Sequence, residues 1–435
     1  MPFSIEHLGE CSYSSPLADK VNFDNNGFIS DDERVLYNVI KNNQKDECIC
    51  NENYFEMAGP REKIYYDSKK VKSAIVTCGG LCPGLNDVIR SIVLTTYHNY
   101  NSESILGIRY GYNGLNPANG YKPIQLHPDM VEDIHKDGGT ILASSRGGTD
   151  NMELLVDTLE KNEINILYTI GGDGTQRGAQ VISETAKKRN YKLSVIGVPK
   201  TIDNDISYIQ KSFGFETAFS KGVEAITTAH VEAKGAPNGI GIVKLMGRHS
   251  GFIAANATLA MNDVNFVLVP EVHFDLEGAN GFFTHLEKRM KDRDHAVVCV
   301  AEGAGQDLMK DDIENQKDAS GNVKLDDIGL FLKQKMKEYF ARRNFTVNIK
   351  YIDPSYIIRS MPATPNDSLF CQQLGQFAVH AGMAGKTNMV IGTWNNIYTH
   401  VPIHLAVSKR KQIDPNSRFW LSVLQATGQP REMQN

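Results

Sequence analysis

Two carboxylates, Asp203 and Asp205, stand two residues apart in Lys200-Thr201-Ile202-Asp203-Asn204-Asp205, directly after the apolar run KLSVIGVP. At that spacing in a loop the two can take different roles. One accepts a proton from a hydroxyl, while the other bears on a metal or holds its partner's protonation state. Lys200 adds a positive charge suited to a phosphoryl group in transfer. A second constellation, Gly171-Gly172-Asp173-Gly174-Thr175, closes the apolar run INILYTI. Glycines at a strand end let backbone N–H groups approach phosphate oxygens, and a following helix adds its positive N-terminus. Asp173 is a hard oxygen ligand that fits Mg2+ on a polyphosphate. Gly79-Gly80 ends another apolar run, and Arg146-Gly147-Gly148 sets a guanidinium beside a flexible turn. Met246-Gly247-Arg248 follows GIGIVKL and offers a second guanidinium for a phosphate. Glu302 after HAVVCVA, and Lys350, Tyr356 and Arg359 in KYIDPSYIIR, are polar groups near strand ends that suit a sugar phosphate. The plainer readings are an Asx-rich turn at 201–205, a helix-capping Asp at 173, and surface side chains elsewhere. Three glycine turns together with Asp173 point to a phosphate pocket.

Such groups need a scaffold that brings loops together. VKSAIVTCGG reads as a short strand ending in glycines, and NDVIRSIVLTTY after it has helical spacing. The same plan recurs in SILGIRYGYNGL, in EINILYTIGGDGT followed by QRGAQVISETAKKR, in KLSVIGVPKTIDND, in GIGIVKLMGRHSGF and in HAVVCVAEGAG. This strand–glycine–helix alternation predicts an α/β fold with mainly parallel sheets, its chemistry at the carboxyl ends of the strands. The chain has 435 residues, which at roughly 150 residues per domain leads to two domains or one large α/β unit. Its 37 glycines against 16 prolines mean that backbone freedom is being used, and the motifs place much of it at strand ends.

Composition narrows the partners. Lys plus Arg is 46 and Asp plus Glu 51, a formal charge of −5, which argues against a nucleic-acid surface built on basicity. No run approaches about 18 apolar residues, so no membrane span is expected. MPFSIEHLGE has no signal-peptide pattern, so a cytoplasmic protein is expected. Seven sparse cysteines do not make a disulfide framework, and the Cys78/Cys82 pair lacks partners for zinc.

Three local signals compete with this reading. Ser30-Asp31-Asp32-Glu33 before VLYNVI reads as a capping box opening a surface helix. Asn22, Asp24, Asn26, Gly27, Ile29 and Glu33 fall at positions of a calcium loop, but with a poor first ligand. HAGMAGKT at 380–387 resembles the end of a P-loop without its first glycine. Residues 307–329 are charged and turn-rich and read as a surface insertion, and LFLKQKMKEYFARR after them as an amphipathic helix with a solvated basic face.

Taken together, GGDGT, PKTIDND, MGRHSG, AEGAG and KYIDPSYIIR resemble the 6-phosphofructokinase family, in its order, from about residue 71 to about residue 400. PKTIDND with MGR is specific, whereas GGDGT alone also occurs in NAD kinases and diacylglycerol-type lipid kinases. The N-terminal extension and the form KYIDPSYIIR resemble the long-chain, protist and plant type. The resemblance implies transfer of the γ-phosphoryl of ATP to the 1-hydroxyl of fructose 6-phosphate with Mg2+, a reaction governed by positioning and charge. It implies Asp203 as the base with Thr201 and Asp205 beside it, Lys200 and Arg248 as charge partners, and Asp173 at the metal. Gly80, Arg146, Gly147, Gly171, Gly172, Asp173, Gly174 and Thr175 would serve the nucleotide phosphates. Thr201, Ile202, Asp203, Met246, Gly247, Arg248, Glu302, Lys350, Tyr356 and Arg359 would serve the sugar phosphate.

It also implies a homotetramer of doubly wound, two-domain subunits with the site in the interdomain cleft, where closure excludes water. The expected division is an N-terminal extension over 1–70, a nucleotide-phosphate domain over 71–218 plus about 362–410, and a sugar-phosphate domain over 219–361 plus the C-terminal segment. The family's two donor markers disagree here. Pyrophosphate enzymes carry Lys at position 200, as this chain does, but Asp where this chain has Gly174. An Asp at 174 would crowd and repel a nucleotide α-phosphate, whereas Lys200 excludes nothing, so ATP is the expected donor. Pyrophosphate, or a catalytically silent regulatory subunit, are the alternatives. The family's short enzymes also carry an Arg, reaching a neighbouring subunit's substrate, where this chain has Gly239.

Overall fold

The apolar runs become the inner strands of two sheets. A computed structural model describes residues 3–20, 27–39, 53–309 and 325–435. The chain divides into two compact units, one of residues 1–201, 206–214 and 360–410, the other of 202–205, 215–359 and 411–435.

Among the described residues the first unit holds a nine-stranded sheet. Its inner strands run in the order Met389–Trp394, Ser194–Pro199, Ile166–Gly171, Ser73–Thr77, Ile105–Ile108, all parallel. Antiparallel strands extend both edges: Ile397–Pro402, Tyr54–Met57 and Arg34–Leu36 on one side, Ile124–Gln125 on the other. Ser73–Thr77, Ile166–Gly171 and Ser194–Pro199 are buried along their whole length, as the middle of a parallel sheet covered on both faces must be. Ala74, Val76, Leu167 and Val195 enter a core with the helices Met152–Lys161 and Asp173–Lys188. The helices Leu85–Tyr100 and Pro365–Met383 pack on each other.

The second unit has a parallel four-stranded sheet in the order Phe266–Leu268, His295–Ala301, Gly239–Leu245, Asn348–Ile352. The two-residue period of a strand divides its side chains between two cores. Val243, Leu245, Val297 and Cys299 face one with the helices Phe215–Lys234 and Phe252–Met261. Ile240, Ile242, Val298 and Val300 face the other with Phe282–Arg293 and Ile328–Ala341. The fold is α/β with mainly parallel sheets, and no described helix is long and apolar enough to cross a membrane.

One local signal resolves differently from the sequence reading. At Ser30–Glu33 the capping-box bond does form, with Ser30 N donating to Glu33 Oε1 at 2.7 Å. It closes a turn, and the chain continues as the strand Arg34–Leu36 rather than a helix. Pairing of Val35 with Phe55 in the large sheet outweighs the local helix preference. Of the calcium-loop pattern, Asn22, Asp24 and Asn26 lie outside the described residues, as do positions 310–324 of the insertion. The P-loop-like HAGMAGKT ends the helix Pro365–Met383 and runs into the short strand Lys386–Thr387, where Lys386 is 1% exposed. Lys386 Nζ lies 2.7 Å from Asp31 Oδ1 and 2.8 Å from Glu56 Oε1, so its charge is spent on one exposed and one buried carboxylate and not on a phosphate.

Candidate active site

In the first unit, strand register sets the glycine-rich loops side by side. Thr77 pairs with Ile170, and Gly171 with Pro199, so three strands end at one edge. Cys78–Gly80, Gly171–Gly174 and Lys200 emerge there. Gly79 has φ +89°, a left-handed conformation that favours glycine. Its N–H donates to Ser145 O at 2.8 Å, and Ser144 Oγ donates to Gly79 O at 2.7 Å. These bonds bring the exposed Arg146 and Gly147 to the same edge. Lys200 knits the turns together: Nζ donates to Gly80 O at 2.5 Å and the backbone N–H to Gly171 O at 3.1 Å. Burial raises the neighbouring Cys78 thiol to about 12, which makes it a poor nucleophile.

The helix Asp173–Lys188 starts from Gly172, which provides no side-chain cap. Its first N–H groups therefore face outward for an anion. A Cβ on Gly174 would meet nothing within 4 Å. Asp173 accepts from Arg177 Nε at 3.2 Å, and Arg177 Nη2 donates to Val407 O at 2.6 Å. Thr175 is buried, with Oγ1 2.1 Å from where a Gly171 Cβ would stand, so it shapes the turn from beneath. No group of three or more His, Cys, Asp or Glu that could hold a metal occurs among the described residues. A lone Asp173 is the donor set expected of an Mg2+ that takes its remaining ligands from phosphates and water.

In the second unit, Leu245 pairs with Ala301, so Met246–Arg248 and Glu302–Gly303 leave the sheet as neighbours. Glu302 N donates to Leu245 O at 2.9 Å and Gly303 N to Gly247 O at 3.1 Å. A Cβ on Gly303 would stand 1.9 Å from Arg248 O. Burial raises the Glu302 carboxyl above its ordinary value, against the pull of Arg248 and Lys244. Ser250 Oγ donates to Asp203 O at 3.2 Å, which ties the Ile202–Asp205 stretch to the MGRHSG loop. The Arg359 guanidinium lies 4.5 Å over the ring of the exposed Tyr356.

Lys350 does not join this group. Register sets it opposite Gly241, well before Met246, and Nζ lies 3.6 Å from Glu232 Oε2. Gly239 pairs with Asn348 at the same end of the sheet, so Lys350 and Gly239 share a region away from Met246–Arg248 and Glu302–Gly303.

Two further lysines escape the motif reading. Lys411 N–H donates to Asp205 O at 2.8 Å, and Nζ lies 5.4 Å from the Phe252 ring centroid. Burial pushes the Lys411 ammonium down to about 7, opposed by the charge of Asp205. Nothing local in RKQ signals this, since its burial is tertiary. Lys244 was readable: it is a charge in the otherwise apolar strand GIGIVKL.

The family model described as Phosphofructokinase matches residues 72–382. A Borreliella burgdorferi protein named ATP-dependent 6-phosphofructokinase is 51% identical over 442 residues, covering 100% of this chain and 98% of its own length. ATP-dependent 6-phosphofructokinase 7 of Arabidopsis thaliana is 45% identical, covering 99% of this chain and 88% of its own. A solved pyrophosphate-dependent phosphofructokinase from Marinobacter aquaeolei superposes with a TM-score of 0.67 at 19% identity, covering 82% of this chain and 91% of that chain. At that identity the likeness is one of fold.

Proposed function

The chain belongs to the phosphofructokinase family, and from that premise we propose that it phosphorylates fructose 6-phosphate to fructose 1,6-bisphosphate with ATP. The observation that carries the reading is identity of 51% over the whole chain to a protein named for the ATP-dependent reaction. In this chain Asp203, Asp173, Lys200 and Arg248 are all present.

The roles follow from the chemistry. The Asp203 carboxylate takes the proton of the sugar 1-hydroxyl as the hydroxyl oxygen attacks the γ-phosphorus of ATP and the bond from that phosphorus to the bridging oxygen breaks, releasing ADP, and Thr201 and Asp205 hold that loop. Lys200 and Arg248 offset the charge on the transferring phosphoryl oxygens, and the amides of Gly80, Gly147 and Gly171–Gly174 hold the remaining phosphates. Arg146 adds its guanidinium to them. Asp173 is the protein ligand for Mg2+, which when bound neutralises phosphate charge. Arg248, Glu302, Tyr356 and Arg359 take the sugar phosphate, with Met246 and Gly247 shaping its floor. Lys350, beside Gly239, fits a second copy's acceptor better than its own, in keeping with the homotetramer that the family resemblance implies. A cytoplasmic location completes the proposal.

ATP is favoured over pyrophosphate because the space beside Gly174 is open, where a carboxylate would meet a nucleotide's α-phosphate. A silent regulatory subunit is disfavoured by the presence of both Asp203 and Asp173. The test is product formation with either donor. Fructose 1,6-bisphosphate made with ATP and Mg2+, with little from pyrophosphate, supports the reading; the reverse preference overturns it.

A further inference from the structure

Lys244 stands two residues before Met246, its side chain 15% exposed. Nζ lies 2.7 Å from Asp327 Oδ2 and 2.8 Å from Asp353 Oδ2. A partly buried ammonium needs such partners, and here both belong to segments with other tasks. Asp327 caps the helix Ile328–Ala341, accepting from Leu330 N at 3.0 Å, and it also accepts from Tyr351 Oη at 2.8 Å. Asp353 begins the stretch that runs to Tyr356 and Arg359, and its Oδ1 accepts from Ser355 N at 2.9 Å and from Ser355 Oγ at 2.5 Å. Strand register makes this meeting obligatory: Ile352 pairs with Val243, so Asp353 leaves the sheet beside Lys244. Gln306 braces the same corner. Its Nε2 donates to Glu302 O at 2.7 Å and to Asp326 O at 3.1 Å, and its Oε1 accepts from Asp326 N at 3.2 Å.

We propose that Lys244 is a positioning residue for the acceptor. Its ammonium fastens the loop Asp353–Arg359, and the helix cap at Asp327, to the strand end that presents Met246–Arg248. Lys244 touches no substrate; it acts through Asp353 on Tyr356 and Arg359. Without the cation, Asp327 and Asp353 become neighbouring like charges and separate. The loop then loses the setting that sugar-phosphate binding needs, where a shift of about 1 Å is costly. The inference rests on the proposed acceptor roles of Arg248, Glu302, Tyr356 and Arg359.

The test is steady-state kinetics of the full-length enzyme, varying fructose 6-phosphate and ATP separately. Lys244→Met is expected to raise KM for fructose 6-phosphate about tenfold or more while KM for ATP moves less than about twofold. Lys244→Arg, which keeps the charge, holds KM for fructose 6-phosphate within about threefold of wild type. Asp327→Asn keeps an acceptor for the helix cap, so it folds even if Lys244→Met does not, and gives a smaller rise confined to the same substrate. KM for fructose 6-phosphate unchanged in the folded variants, or raised together with that for ATP, overturns the proposal. Wild-type enzyme that fails to phosphorylate fructose 6-phosphate overturns the functional reading itself, and the role of Lys244 with it.

Discussion

The Lys200 ammonium donates to the Gly80 carbonyl oxygen at 2.5 Å, so the side chain that follows one strand closes the glycine turn that follows another. Its backbone N–H separately holds Gly171. The backbone bond needs no side chain, which separates the two roles. Lys200→Met is therefore expected to fold, while kcat/KM for ATP falls about 10²–10³-fold, the loss typical of one charge-stabilising donor. A fall below tenfold would remove Lys200 from the transfer step.

Gly174 gives a cleaner donor test than most glycines. Its φ is not left-handed, and a Cβ there meets nothing within 4 Å. Asp in the first turn of a helix is also favourable for the helix dipole. Gly174→Asp is thus expected to change unfolding stability by less than about 1 kcal/mol. It is expected to lower kcat/KM for ATP by more than about tenfold through repulsion of the α-phosphate. A thermal melt and donor kinetics on one preparation check both halves.

Gly303 is the opposite case. A Cβ would stand 1.9 Å from the Arg248 carbonyl oxygen, and backbone cannot swing aside as a side chain can. Gly303→Ala is expected to cost about 1–3 kcal/mol of stability, as overpacking does. It should also raise KM for fructose 6-phosphate by displacing Arg248. Denaturant unfolding and acceptor kinetics measure the two effects.

Glu56 links stability to pH. Burial alone would raise its carboxyl, but the hydrogen bond and charge of His400, then the Lys386 ammonium, hold it well below the usual carboxylate range. With the folded pKa depressed, the stability it contributes is complete above its ordinary value of 4.5 and is lost as pH falls below that. Glu56→Gln leaves Lys386 buried with one fewer carboxylate and is expected to cost about 3–5 kcal/mol at neutral pH. Urea unfolding at pH 7 and pH 4 should show the wild-type advantage shrinking at the lower pH.

The strand–glycine–helix scaffold was legible because buried parallel strands are continuous apolar runs, and their glycines mark where they end. GGDGT and the run after KLSVIGVP were legible for the same reason. What stayed hidden depended on distant pairing. Residues 34–36 follow the helix-start signal Ser30–Glu33, and only pairing with Tyr54–Met57, itself joined to Ile397–Pro402, makes them a strand. Lys386 looks like a phosphate lysine until Asp31 and Glu56, from the other end of the chain, are found on it. Lys350 sits in a motif with Tyr356 and Arg359, but strand register separates it from them.

The central claim is that Asp203 is the base of an ATP-dependent transfer to fructose 6-phosphate, and Asp203→Ser tests it most directly. Wild type and variant are compared for fructose 1,6-bisphosphate formation with saturating ATP and Mg2+. The account predicts that kcat falls by about 10²–10⁴-fold, as loss of a general base does, with KM for ATP nearly unchanged. A folded variant with kcat within threefold of wild type would contradict it.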